Sequence, residues 1–396
     1  MTMTGAPGPI AYESQVFSLA FHPEADVVAA GTIEGFVHCH KYAADAEPVK
    51  LWSSKLHKGS CRALDFASDG SALYSGSKDR TLQVVNVETG KVTAKKPKAH
   101  AEPINTLLTL SDALIATGDD GGCVKVWDLR QRKVALSYHD NTDFISDLHY
   151  VEHKKTLLAT SGDGHLSVFD IRKKKPVAIS EQQDDELLCV TVVRNTTKAV
   201  VGTQDGNLLL FSWGDWGDCT DRFPGHPSSV DSILTIEDET VMTASGDGIL
   251  RAIGILPNKL IGAIGEHGEM PIESIRLARD GELVGSCSHD ATVRFWSVAA
   301  ATNEDEDDEN EKVEMPEEAA MAEEVEVDDE EKSTSGQGSD TTAAANKRSA
   351  SSGSDLDSSD DDRPVRKDKR KKKPKKAKKG IGSGKQASAS FFADIS

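Results

Sequence analysis

The chain has 396 residues, 46 basic and 65 acidic, with a formal net charge of -19 and a sequence pI near 5.1. No stretch reaches the roughly 18 uninterrupted apolar residues of a membrane-spanning helix, and residues 1–10 lack the basic and apolar regions of a secretory leader. The six cysteines, none in a C-x-x-C pair, argue against a disulfide framework or a zinc ribbon and fit a reducing compartment, cytosol or nucleus.

In chain order, residues 1–9 are expected to be a flexible N-terminus and residues 10–301 a repeat domain. One pattern recurs through the second segment: a turn, usually with an acidic residue, then an alternating apolar strand. Its copies end at Lys41, Asn86, Asp128, Asp170, Ser212, Gly254 and Ser297, spaced 45, 42, 42, 42, 42 and 43 residues apart. The turn favours Asp-Gly, as at Asp163-Gly164, Asp205-Gly206 and Asp247-Gly248, because Gly accepts positive φ and Asp bonds its local backbone. Period-two alternation then places Val124 with Val126, and Val293 with Phe295, on one buried face. Two further strands precede the turn, such as those starting at Cys61 and Ala72 in the second copy. Repeats of about 40–45 residues with four short strands each are β-propeller blades. The expectation is an all-β, seven-bladed β-propeller. Pro9 to Tyr12 are placed to supply the outer strand of the last blade and close the ring, leaving no free sheet edge.

The copies resemble WD repeats, with Trp127-Asp128 a literal match and Phe169-Asp170 a near one. In the last copy His267, Ser286, Asp290 and Trp296 occupy the positions of the WD-repeat hydrogen-bond tetrad. The resemblance implies a structural role: Asp holds His, His bonds Ser, and Ser reaches the indole N–H. The second copy keeps His57, Ser75 and Asp79 but has Val85 for Trp; the third keeps His100, Thr117 and Trp127, with Gly121 at the Asp position and Asp120 beside it.

Beyond the repeats the charge separates into blocks. Residues 303–331 hold 17 acids and one lysine, and residues 363–385 hold 13 basic residues and one acid. Such blocks repel themselves and bury little apolar surface. The expectation is a disordered acidic and Ser-rich linker over 302–362, a disordered basic segment over 363–385, and a Phe-Phe motif within 386–396. Arg366, Lys367, Lys369, Arg370, Lys371, Lys372, Lys373, Lys375, Lys376, Lys378 and Lys379 read as a nuclear or nucleolar signal, able to touch RNA phosphates without reading sequence. Ser352, Ser354, Ser358 and Ser359 each have Asp three residues on and are candidate phosphosites. Phe391 and Phe392 form a candidate docking motif that orders on binding.

The sequence offers little for catalysis, and an enzyme, a cofactor and a small-molecule substrate are not expected. There is no phosphate-binding G-x-x-x-x-G-K-[ST] loop and no G-x-S-x-G elbow; the 380–385 segment has the wrong spacing. His38-Cys39-His40 cannot converge on one metal, because on a strand Cys39 points away from the two histidines. Asn195-Thr196-Thr197 matches a glycosylation sequon without a secretory context.

Trp127, Asp128 and Arg130, followed 42 residues on by Asp170 and Arg172, resemble the W-D-x-R box of WD-repeat substrate receptors, whose Arg contacts a cullin–RING adaptor. The whole organisation, from the opening Val16-Phe17-Ser18-Leu19-Ala20-Phe21 to the terminal Phe-Phe-Ala-Asp, resembles the WD repeat-containing protein 55 family and its fungal Jip-five members. That resemblance implies a nuclear and nucleolar scaffold for ribosomal RNA processing and large-subunit assembly, with pre-ribosomal proteins or particles as partners. A ubiquitin-ligase substrate receptor and a histone- or chromatin-binding adaptor are the alternatives; no membrane partner is expected.

Overall fold

The computed structural model describes residues 6–299, and these form a seven-bladed β-propeller. Each blade is a four-stranded antiparallel sheet. Blade 1 spans residues 16–55, blade 2 61–96, blade 3 104–138, blade 4 145–179, blade 5 187–224 and blade 6 230–266. Blade 7 combines residues 272–297 with the two-residue strand Ile10–Ala11. That strand pairs antiparallel with Thr292–Ser297, Ile10 opposite Val293 and Ala11 opposite Thr292. The last outer strand therefore comes from the start of the chain, and the ring is closed by backbone hydrogen bonds rather than by packing alone.

Of the N-terminal segment 1–9, residues 6–9 are among those described. Pro7 is buried, and the Gly8 N–H donates to the Ala46 carbonyl at 3.2 Å. Proline at 7 and 9 fixes φ on both sides of Gly8 and lets this short segment lie against blade 1.

The alternation along each strand does not separate core from solvent. Val124 and Val126 are buried, but so are Trp127 and Asp128 of the same strand. The reason is the layering: every blade has a neighbour on both faces. Apolar clusters accordingly lie between blades, one at each of the seven interfaces. At the 7–1 interface Val293 and Phe295 pack with Leu19, Val28 and Tyr42.

The inner strands, such as Val16–Phe21 and Ile272–Leu277, line a central channel. They are stitched to one another by side chains that reach across blade boundaries. Asp65 accepts from the Thr109 N–H at 2.7 Å, and Asp147 from the Val190 N–H at 3.1 Å. Ser146 donates to the Leu187 carbonyl, and Ser232 accepts from the Ile275 N–H. These bonds satisfy inner-strand groups that have no further strand beside them. The turns between second and third strands, together with the connections between blades, form the upper face; the other turns form the lower face.

Candidate functional site

On the upper side of blade 7 the four tetrad side chains meet. Asp290 Oδ2 lies 2.8 Å from His267 Nδ1, His267 Nε2 lies 2.6 Å from Ser286 Oγ, and the Trp296 indole N–H donates to Ser286 Oγ at 2.7 Å. Asp290 also accepts from the Thr292 N–H and hydroxyl. The Asp–His–Ser order is that of a hydrolase triad, but Ser286 is fully buried and its oxygen faces the indole. Burial lowers the His267 pKa and Asp290 opposes it, so the ring is a neutral strut tying a loop to a strand.

The same network varies from blade to blade. Blade 2 keeps His57 against Ser75 and Asp79, and Gln83 donates to the Leu56 carbonyl. Blade 3 corrects the sequence reading: the acid is neither Gly121 nor Asp120 but Asp119, 2.8 Å from His100 Nδ1. The Gly121-Gly122 turn lets Asp119 Oδ1 accept from the N–H groups of Gly121 and Cys123, so the carboxylate enters the tetrad two residues early. Asp120 is freed and pairs at 3.0 Å with Arg62 of blade 2. Thr117 and Trp127 complete blade 3 as expected from the sequence.

In blade 6 Asp247 turns away from His226 to grip Arg251 at 2.6 Å, and His226 bonds Thr243. Blade 1 has lost the network. Tyr12 stands at the His position, Ala30 at the hydroxyl position and His40 at the Trp position, leaving a cavity of about 400 Å3 lined by Tyr12, His38 and His40. The Tyr12 hydroxyl meets His40 Nδ1 at 3.4 Å. Burial and Lys50 bring the pKa of His38 down to about 4, and burial, His38 and Lys50 do the same for His40. The two rings share one face while Cys39 is buried on the other.

The two W-D-x-R segments reach the lower face at consecutive blades. Asp128 and Asp170 are buried, while the Arg130 and Arg172 side chains are 74% and 68% exposed. Arg172 clasps Asp170 through Nε at 2.7 Å and Nη2 at 2.9 Å. That hydrogen-bonded arginine brings the Asp170 pKa down to about 2. Arg130 lies 3.7 Å from Asp128, which also caps Gln131. The structure thus presents two guanidinium groups, one rigid and one looser. Asn195 of the sequon is engaged by Asp238.

The upper mouth of the channel is a cavity of about 590 Å3. The second residue of each inner strand points into it, and the ring of seven is chemically uneven, with two carboxylates side by side in blades 6 and 7. Phe17 and Leu188 are apolar, Asn105 and Ser146 polar, Arg62, Asp231 and Glu273 charged. Burial pushes the Asp231 carboxyl up to about 6, eased by Ser229 and reinforced by Glu273. Glu273 pairs with His289 at 2.5 Å and raises that imidazole's pKa. Sequence reasoning missed this site. Its signal was the identity of one position per repeat, visible only once the inner strands were known.

The basic residues Arg366 to Lys379, the candidate phosphosites Ser352, Ser354, Ser358 and Ser359, and Phe391 and Phe392 lie outside the described residues.

A family model described as WDR55 matches residues 7–301. Among curated proteins, the chain is 40% identical over 286 residues to WD repeat-containing protein 55 of Arabidopsis thaliana, covering 72% of this chain and 81% of that one. It is 36% identical over 294 residues to the Homo sapiens protein of the same name, covering 74% and 77%. It is 40% identical over 303 residues to WD repeat-containing protein JIP5 of Coprinopsis cinerea, covering 74% of each.

Proposed function

The chain belongs to the WD repeat-containing protein 55 family, and from that premise we propose that it is a non-enzymatic scaffold for nucleolar ribosome biogenesis. The observation that carries the scaffold reading is the tetrad of blade 7: the Asp–His–Ser arrangement most like a catalytic one is sealed inside the blade by Trp296. What is offered outward is docking chemistry, a varied channel mouth above and two exposed arginines below. Rigid faces bearing loops of unlike chemistry are where partners bind. The nucleolar part rests on the dense basic run from Arg366 to Lys379, whose charge attracts both import receptors and RNA.

Pre-ribosomal particles are the proposed partners, with RNA phosphates contacted by the tail. The test is affinity capture of the full-length protein, alongside a chain lacking residues 303–396, followed by scoring of precursor ribosomal RNA. Enrichment with the full chain and weaker enrichment without the tail is expected; no precursor RNA with either overturns the reading. A second reading has its own observation. Arg172 is held in place by Asp170 beside a comparably exposed Arg130, which suits docking of a cullin–RING adaptor. Its test is adaptor capture with Arg130→Ala and Arg172→Ala combined.

A further inference from the structure

Blade 3 departs from blades 2 and 7 at two positions, and both changes gather metal-binding atoms around one point. In blades 2 and 7 a threonine follows the turn. Thr81 Oγ1 lies 3.0 Å from His57 Nδ1 and 2.7 Å from Asp79, and Thr292 Oγ1 lies 3.3 Å from His267 Nδ1 and 2.7 Å from Asp290. In blade 3 that threonine is replaced by Cys123, and the carboxylate is supplied by Asp119. His100, Asp119 and Cys123 are all buried, and their ligand atoms lie within 4.8 Å of one another. One residue past the outer strand Lys133–Tyr138, the exposed His139 brings Nε2 to 2.9 Å from Ser137 Oγ and 3.9 Å from Cys123 Sγ.

We propose that His100 Nδ1, Asp119 Oδ2, Cys123 Sγ and His139 Nε2 bind one divalent transition metal of the zinc type, which takes the place of the proton between His100 and Asp119. Three of the four ligand atoms already lie within 4.8 Å of one another, and His139, held at 2.9 Å by Ser137 Oγ, has to turn in to complete the set. Bond lengths of about 2.0–2.3 Å in a tetrahedron put ligand atoms roughly 3.3–3.6 Å apart. The 2.8 Å His100–Asp119 contact has to open and the 3.9 Å Cys123–His139 contact has to close, each by a few tenths of an ångström. His139 is on the surface and can swing, giving the ion an entry path. The charges also balance: one thiolate and one carboxylate cancel the dication, so the buried centre carries no net charge.

Protons are accounted for as well. On binding, the Cys123 thiol proton leaves to solvent. His100 changes tautomer, so that Nε2 carries its proton and donates to Thr117 Oγ1, 2.6 Å away, and the Thr117 hydroxyl proton rotates away from the ring. A metal-bound histidine normally donates its second N–H in this way. The Trp127 indole keeps its bond to the same oxygen. Burial raises the Cys123 thiol pKa and the Asp119 charge adds to it, while Ser137 and Lys125 act to lower it. Affinity therefore falls with acidification, about tenfold per pH unit while the thiol is protonated.

The experiment uses reduced, chelator-stripped full-length protein titrated with Co2+ as a spectroscopic stand-in for Zn2+. The expected result is a tetrahedral cobalt spectrum with a thiolate-to-cobalt band. Cys123→Thr installs the residue blades 2 and 7 already carry there, so it should keep the metal-free melting temperature and lose the band. His139→Ala should keep the band but weaken binding by more than about tenfold. A wild-type spectrum with no thiolate band, or a band that survives Cys123→Thr, overturns the proposal.

Discussion

A single indole N–H decides how well a blade's loop is fastened. Trp296 donates to Ser286 Oγ, which also bonds His267. Trp296→Phe preserves most of the packing and removes one donor to a buried hydroxyl. The expected loss is about 1 kcal/mol, read as a lower urea midpoint at unchanged slope. The histidines make stability depend on pH. His38, His40 and His226 have pKa values brought down to about 4, burial being the largest cause in each case. Between about pH 6.5 and 4 the unfolded chain therefore binds more protons than the folded one. Their contribution is complete above about pH 6.5 and is lost as pH falls towards 4. His40→Gln should flatten that decline by up to about 1.4 kcal/mol per pH unit; an unchanged slope in urea unfolding at several pH values counts against a neutral buried His40.

At the scale of strands and turns, much was legible beforehand. The spacing of 42 to 45 residues marked the turns because each holds its second residue at positive φ, a glycine in five blades and Arg80 or Ala291 in the other two. What escaped was any place where two side chains exchange duties. Asp119 could replace the expected acid because Gly121-Gly122 changes the turn, and no periodicity encodes that. In blade 1 the loss of the network follows from Ala30 offering no hydroxyl. The turns themselves differ in tolerance. Gly206 has φ +83, and a Cβ there would lie 2.5 Å from the carbonyl oxygens of His226 and Ser228. Ala291 holds φ 62 at the matching place of blade 7, where Asp290 caps the next residue. Gly206→Ala should thus cost at least about 1–3 kcal/mol, measured by thermal or urea unfolding. Removing residues 1–11 tests closure in the same way. It exposes the hydrogen-bonding edge of Thr292–Ser297, so a lower melting temperature and concentration-dependent association are expected.

The whole molecule sets a ring against a tail, and the two candidate roles draw on different parts of it. Residues 1–301 carry 40 acids and 29 basic residues, so the propeller as a whole repels RNA, whereas residues 363–385 concentrate positive charge. If the tail supplies the phosphate contacts, changing Lys369, Arg370, Lys371, Lys372 and Lys373 to Ala removes up to five of them. Each contact to single-stranded RNA contributes about 0.7 to the slope of log affinity against log salt. The slope should then become shallower by about 3 to 4, and on the proposed nucleolar role a fluorescent fusion of the variant should show less nucleolar signal than the unaltered chain. The lower-face pair gives the opposite signature. Combined Arg130→Ala and Arg172→Ala changes remove two exposed guanidiniums without touching the buried Asp128 and Asp170 network at its backbone contacts. An adaptor that buries those arginines would lose about 2–5 kcal/mol of affinity, while precursor RNA capture should stay intact. The scaffold reading requires the tail variant to weaken RNA capture and the arginine variant to spare it. The reverse result, with RNA capture lost on the arginine changes and the tail dispensable, would transfer the function to the lower face of blades 3 and 4.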